Sequence, residues 1–290
     1  MKWGYELVFV VSLIMSAVSC ADTDLVVMSF NLRHGLGEDG QNSWPLRKET
    51  LVNAIKECAP DIVGTQECLG FQADFLAEAL PDYYWFGVGR EANGTGEMAA
   101  VFYKKRLVSP VATGTFWLSE TPEVPGSRSW ETGSTRVVTW AKFHHPGSGQ
   151  FFCLFNTHLD NASEQARQHG ARLLLERTRA VSAELPVIVT GDFNAAAEAS
   201  APWQTLTEGG FADAWLAAES TTGPEVTFGR FGPPPENGKR RIDWILVRGP
   251  VSAKRCETVL YNESGRYPSD HYPVVARLAL GSGPSPAGKR

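Results

Sequence analysis

Apolar residues recur along this chain in two rhythms. Short runs that are almost wholly apolar, bounded by turn residues, mark strands buried on both faces, while apolar residues every three or four positions mark helices. By that reading DLVVMSFN (24–31) is a strand, and SWPLRKETLVNAIKECAP (43–60) is a helix closed by Pro60. Ser43 or Asn42 is placed to cap it, with Pro45 in its first turn. DIVGTQE (61–67) is the next strand and FQADFLAEAL (71–80) a helix that stops at Pro81. YYWFGV (83–88), EMAAVFYKK (97–105) and VATGTFWLS (111–119) read as shorter strands. STRVVTWAKFHH, PGSG and QFFCLFNTHLD (134–160) form a predicted hairpin, with His158 and Asp160 at its far end. A helical stretch over 161–185 leads into the strand PVIVTGDFN (186–194). RRIDWILVRG (240–249), VSAKRCETVLY (251–261) and HYPVVARLAL (271–280) complete the strands. GPPPENG (232–238) is a loop, and GSGPSPAGKR (281–290) reads as a disordered tail.

Helices separate only some of these strands and hairpins join the others. That mixture predicts an α+β fold in which two packed, mostly antiparallel sheets carry helices on their outer faces. The regular alternation that a TIM barrel needs is missing. With 43% hydrophobic residues, 9 Trp and 15 Phe in 290 residues, the chain can bury one large core, assigned to a single domain over residues 21–280.

Polar side chains collect where the apolar runs stop or start. Asn31, Glu67, His158, Asp192 with Asn194, and Asp243 mark strand ends, while Asp270 and His271 precede the final strand. Each alone has a plain structural reading. An Asp or Asn at a strand end is commonly a turn residue or helix cap. Asp243, flanked by apolar residues, would pair with Arg241, and His271 would be a satisfied interior histidine. Glu67 would be a solvated terminus, although a carboxylate following DIVGTQ is costly without a partner. Together, carboxylates, amides and an imidazole suit phosphate ester hydrolysis assisted by a hard cation.

Charge and the N-terminus narrow the setting. The net charge of −5 lacks the overall basic footprint of a dedicated nucleic-acid binder and fits a small or transiently held phosphorylated substrate better. Lys2, the apolar run Leu7–Val18 and the small residues before Cys20 read as a secretory signal over residues 1–20. Ala17-Val18-Ser19-Cys20 also resembles a lipobox, so release and lipid anchoring at the cell envelope both remain open. Cys58, Cys68, Cys153 and Cys256 allow three pairings, with Cys153 in FFCLF reading as a small buried hydrophobe. No cysteine or histidine spacing points to zinc.

SFN (29–31), TQE (65–67), NTHLD (156–160), TGDFN (190–194), RIDWI (241–245) and SDHYP (269–273) occur in an order that resembles the endonuclease/exonuclease/phosphatase superfamily over residues 24–280. NLRHGLGEDGQNSW and WLSETPEVPGSRSW further resemble a secreted bacterial branch related to the deadenylase/nocturnin group. The resemblance implies a deoxyribonuclease-I-like, four-layer αββα sandwich and a Mg²⁺-dependent phosphoesterase, with Mn²⁺ as an alternative ion. It implies Glu67 as principal metal ligand, Asn31 supplying an amide oxygen, and Asp270 completing that site or a second one. Asp192 would activate water, Asn194 would hold a phosphate oxygen, and His271 would bind or protonate the phosphoryl group with Asp243 fixing its tautomer. His158 would face them across the cleft, with Glu97 as its acidic partner.

Arg136 and Arg167 are candidate phosphate binders, although surface ion pairs explain them equally well. Arg33 stands where some nuclease branches keep an Asp. His34, His144, His145 and His169 read as loop or surface residues. Trp44, Trp130 and Trp244 read as core unless one stacks on a base or sugar. The substrate is a phosphorylated small molecule or a nucleic acid, with a monomeric protein and no stable nucleic-acid complex expected. A glycoside hydrolase using Glu67 and Asp192 as its acid–base pair, and a catalytically inactive surface ligand-binding protein, are the competing readings.

Overall fold

The computed structural model describes residues 23–181 and 185–281. The secretory-signal reading and most of the C-terminal tail therefore lie outside the described residues. Among the described residues, one sheet runs in the order β10-β12-β13-β1-β2-β4-β3 and a second in the order β5-β6-β7-β8-β11-β9. The first comprises β1 (Thr23–Asn31), β2 (Ile62–Gln66), β3 (Tyr83–Phe86), β4 (Val101–Lys104), β10 (Ser220–Thr222), β12 (Val251–Thr258) and β13 (Val274–Leu280). The second comprises β5 (Ser109–Trp117), β6 (Val137–His145), β7 (Gln150–His158), β8 (Val187–Asp192), β9 (Ala212–Asp213) and β11 (Asp243–Arg248). Most pairings are antiparallel; β1 with β2, β7 with β8, and β10 with β12 are parallel.

Period-two alternation sorts the apolar runs into layers. Leu25, Val27 and Ile62 from the first sheet meet Leu154, Ile188 and Ile245 from the second in a shared core. The alternate residues Met28, Phe30 and Val63 face outward onto α1 (Trp44–Cys58) and α2 (Gly70–Ala79). Phe155, Val189 and Trp244 face outward onto α3 (Glu164–Val181) and α4 (Ala201–Glu208). The result is the four-layer αββα sandwich, and burial on both sheet faces explains why the strands read as near-continuous apolar runs.

Several boundaries differ from the sequence reading, and three of them bear on the site. β4 is shorter than residues 97–105, because Met98 makes only an isolated bridge to Cys68. Asp270 and His271 precede the final strand as expected, but β13 begins at Val274 rather than at residue 271, and His271 bridges Phe228 from a loop. Asp243 stands at a strand end as expected, because β11 begins there rather than at residue 240, and its carboxylate lies at the sheet rim. The short elements α4, β9, α5 (Ala214–Ala217) and β10 are additions to the sequence reading. The four cysteines are free thiols, and Cys153 is fully buried, as its apolar neighbours require.

Candidate active site

The inner-facing positions of the central strands change character toward one rim. On β1 the inward series runs Leu25, Val27, Ser29, Asn31; on β8 it runs Ile188, Thr190, Asp192. Below the rim lies a fully buried polar layer. Asn156 accepts from Gln66 Nε2 at 2.8 Å and from Thr190 Oγ1 at 3.0 Å, and donates to the Thr65 and Ala100 carbonyls. Gly64 is required there, since a Cβ would strike Thr190 and Asn156. Strand register then aligns the rim residues themselves: His158 lies beside Asp192, and Asp243 lies opposite it.

Asp192 is the hub. Its Oδ2 accepts from Asn31 Nδ2 at 2.9 Å and lies 3.4 Å from His158 Nε2 and 3.6 Å from His271 Nε2, while Oδ1 accepts the Asn194 N–H. His271 Nδ1 meets Asp243 Oδ2 at 2.9 Å. Arg241, the alternative partner for Asp243, instead pairs with Asp213 and Glu198. Burial disfavours the His271 imidazolium, but Asp243 and Asp192 outweigh it and hold the ring protonated. Burial and repulsion from Asp243 push the Asp192 carboxyl upward. Burial, reinforced by Arg136, drives His158 far down, so it is neutral. Asn194 Nδ2 donates to the Leu159 carbonyl and reaches His158 Nε2 at 2.9 Å, so that nitrogen is the acceptor and Nδ1 carries the proton.

Glu67 occupies the neighbouring position. Its Oε1 accepts from Asn31 Nδ2 and its Oε2 from the His34 N–H, both at 3.0 Å. Burial opposes its charge, yet those donors hold its carboxyl below the usual range. Asn31 thus braces two carboxylates through its nitrogen, while its oxygen accepts the Arg33 N–H. Asp270 lines the same cleft, its carboxyl raised by burial and by Glu67. Two mutually repelling carboxylates that line one cleft fit a hard divalent cation. The triad Asp192, Asp243 and His271 also brings three ligand atoms within 4.8 Å of one another. Glu67 and Asp270 offer carboxylate oxygens alone, as a hard cation prefers, and are the better pair. Arg33, Glu67 and Asn194 all adopt left-handed backbone conformations at this rim, an arrangement that concentrates at functional sites.

The cleft, about 290 Å³, continues to a wall built by Arg90, Glu97 and Arg136. Glu97 pairs with Arg90 at 2.6 Å rather than with His158, which corrects its expected orienting role. Arg136 is buried and lines the cleft, as a substrate-binding candidate must. Arg167 does not line it and donates to the Asp160 carbonyl from α3 instead. His34 lines the cleft although its sequence position suggested surface, and His145 is buried in its turn. Trp44 and Trp244 are core residues, whereas Trp130 stacks on His169.

Sequence reasoning missed Arg47 and Arg90. Arg47 on α1 is fully buried and donates to the carbonyls of Leu32, Arg33, Asn42 and Pro268, tying together the loops that follow Asn31 and precede Asp270. A helical arginine carries no signal for this. Arg90 lies in GVGREANGTGEM, where the clustered glycines mark a shaped loop.

A curated relative, an uncharacterized protein of Acanthamoeba polyphaga mimivirus, is 26% identical over 159 residues, 52% of this chain, and the match spans 59% of that protein's length. An endonuclease/exonuclease/phosphatase structure from Bacteroides vulgatus is 37% identical, with 89% of this chain and 100% of that one covered at a TM-score of 0.85. A mannosyl-6-phosphatase from Bacteroides thetaiotaomicron is 32% identical, covering 88% and 99%, at 0.82. The human nocturnin catalytic domain, 22% identical over 89% and 94% at 0.68, shares the fold. The profile of the Endonuclease/Exonuclease/phosphatase family matches residues 28–271. This chain belongs to that family of phosphoester hydrolases.

Proposed function

We propose that the protein is a divalent-metal-dependent phosphatase that hydrolyses a small phosphate monoester, with Mg²⁺ as the ion and Mn²⁺ as its alternative. The observation that carries this reading is the position of Asp192, whose one carboxylate oxygen faces Asn31, His158 and His271 in the cleft that Glu67 and Asp270 share. Glu67 and Asp270 would hold the cation, which supplies charge neutralisation at phosphorus when bound. Asp192 orients the attacking water and takes its proton. His271, fixed by Asp243, presents a positive N–H to a phosphoryl oxygen. The Leu159 carbonyl and neutral His158 take both Asn194 amide protons, so Asn194 braces the rim instead of holding the phosphate oxygen expected of it.

Cleft size supports a compact substrate. A volume of about 290 Å³ is at the small end of the range for ligand sites. Among its described lining residues Phe228 alone is a carbocyclic aromatic, so the successive stacking platforms that single-stranded nucleic acids use are missing. The similar Bacteroides thetaiotaomicron protein is named as a mannosyl-6-phosphatase, which favours a monoester over a nucleic-acid diester. Export through the N-terminal segment, by secretion or lipid anchoring, belongs to the same proposal.

The test is a substrate panel with the purified protein, with and without EDTA, covering sugar phosphates, nucleotides, phosphodiesters and oligonucleotides. Phosphate release from monoesters that EDTA abolishes and Mg²⁺ restores is the expected result. Exclusive cleavage of oligonucleotides, or EDTA-insensitive cleavage of glycosides, would overturn it.

A further inference from the structure

The wall opposite the Asp192 hub is built with as much care as the hub itself. Arg136 is 6% exposed and donates through Nη2 to Asn161 at 3.1 Å, with Asp160 3.7 Å from its Nε. Among the described residues its Nη1 has no protein acceptor. Arg90 holds Glu97 Oε2 at 2.6 Å, and among the described residues Glu97 Oε1 has no protein donor. The Trp117 indole N–H donates to the Arg90 carbonyl at 2.7 Å, and Arg90 and Glu97 are joined by the Arg90 N–H to the Glu97 carbonyl, so the loop is set before any ligand arrives. A small cavity of about 10 Å³ lies between this wall and Glu67 and His158, which places wall and hub within reach of one compact molecule.

Charge decides what the wall can take. Arg90 is neutralised by Glu97 and Arg136 faces Asp160, so the set carries no net charge. A second phosphate would meet the Glu97 carboxylate and find no surplus cation. A hydroxyl, in contrast, both donates and accepts: it can give its proton to Glu97 Oε1 and accept from Arg136 Nη1. Leaving either group unpaired is costly in a half-buried wall, so the subsite rewards a ligand that supplies adjacent hydroxyls.

Resting on the phosphatase reading above, we propose that Arg90, Glu97 and Arg136, with Asp160 behind Arg136 balancing the charge, form a hydroxyl-recognition subsite that selects the sugar or polyol moiety of a phosphorylated substrate. The experiment compares mannose 6-phosphate and glucose 6-phosphate with phenyl phosphate, which carries the same ester but no hydroxyls. Wild type, Glu97→Gln and Arg136→Lys are assayed for KM and kcat, and their folding is checked by circular dichroism. The expected result is a KM for at least one sugar phosphate that rises about tenfold more than the KM for phenyl phosphate, in at least one folded variant. Equal changes on all three substrates would overturn the subsite and leave the phosphatase reading standing. If the wild type hydrolyses none of the three, that reading fails. Calorimetric titration of mannose 6-phosphate in EDTA then decides the subsite: binding weakened by Glu97→Gln sustains it, and no binding overturns it.

Discussion

Replacing Arg47 by methionine removes a guanidinium that no sequence rule marks as special but that the geometry makes a keystone beneath the site. Its nitrogens donate to four backbone carbonyls at 2.7–2.9 Å, those of Leu32, Arg33, Asn42 and Pro268. Charge-assisted bonds of this kind contribute about 1.5–3 kcal/mol each, a gross of roughly 6–12 kcal/mol. Burial works against them, lowering the Arg47 pKa to about 10, a cost of about 3 kcal/mol that methionine escapes. With some rehydration of the freed carbonyls, the net loss should be about 3–5 kcal/mol. A chain of this size should then melt about 10 °C lower. Urea unfolding followed by tryptophan fluorescence should show a lower midpoint at an unchanged slope. Arg47→Lys should recover less than half of the loss, because one ammonium cannot reach four carbonyls. Because the carbonyls flank Asn31 and Asp270, kcat should fall alongside stability. A loss below about 1 kcal/mol, or full rescue by lysine, would refute the bracing role.

Other perturbations have equally definite outcomes. Asp160 accepts from the N–H groups of Ala162, Ser163 and Ser134 and from the Thr132 hydroxyl. Burial alone would raise its carboxyl, but these donors prevail and bring it down to about 2. A folded-state pKa below the unfolded value of about 4 means its stability contribution is complete above pH 4 and is lost as pH falls toward 2. Allowing for solvent screening, that loss is roughly 1–2 kcal/mol; Asp160→Asn should be less stable at pH 7 and lack this component of the acid decline, as urea melts at stepped pH would read. Glu67→Gln should raise the Mg²⁺ concentration needed for half-maximal activity at least tenfold in a metal titration, and an unchanged requirement would remove Glu67 from the metal site. Asp192→Asn and His271→Ala should lower kcat by about 10²–10⁴-fold with the fold retained, His271→Ala melting lower because it leaves buried Asp243 unpaired, measured by phosphate release and circular dichroism.

The layers and most site residues were legible because both derive from the same pattern. Apolar runs such as DIVGTQ and PVIVTG show where strands lie, and the first polar residue after each run is forced to the rim. Asn31, Glu67, His158 and Asp192 could thus be placed before any contact was known. Contacts that depend on loops were not legible. His34 turns its N–H to Glu67 because the backbone reverses at Arg33, and Arg90 captures Glu97 because a glycine-rich loop folds back on itself. Neither event leaves a period in the sequence. Helix α4 did leave a trace, in the Ser200-Ala201-Pro202 start, but its eight residues are too few for a helical period to stand out. The pairing of Arg241 with Asp213 was hidden for the same reason, since Asp213 sits in a two-residue strand.

Hydrolysis of a phosphate monoester in ¹⁸O-enriched water tests the central claim, that Asp192 directs water onto phosphorus at this site. Phosphorus NMR of the product should show one ¹⁸O in each phosphate released, with Mg²⁺ required and turnover lost in Asp192→Asn. Label appearing in the alcohol instead, or undiminished turnover by Asp192→Asn, would contradict the account.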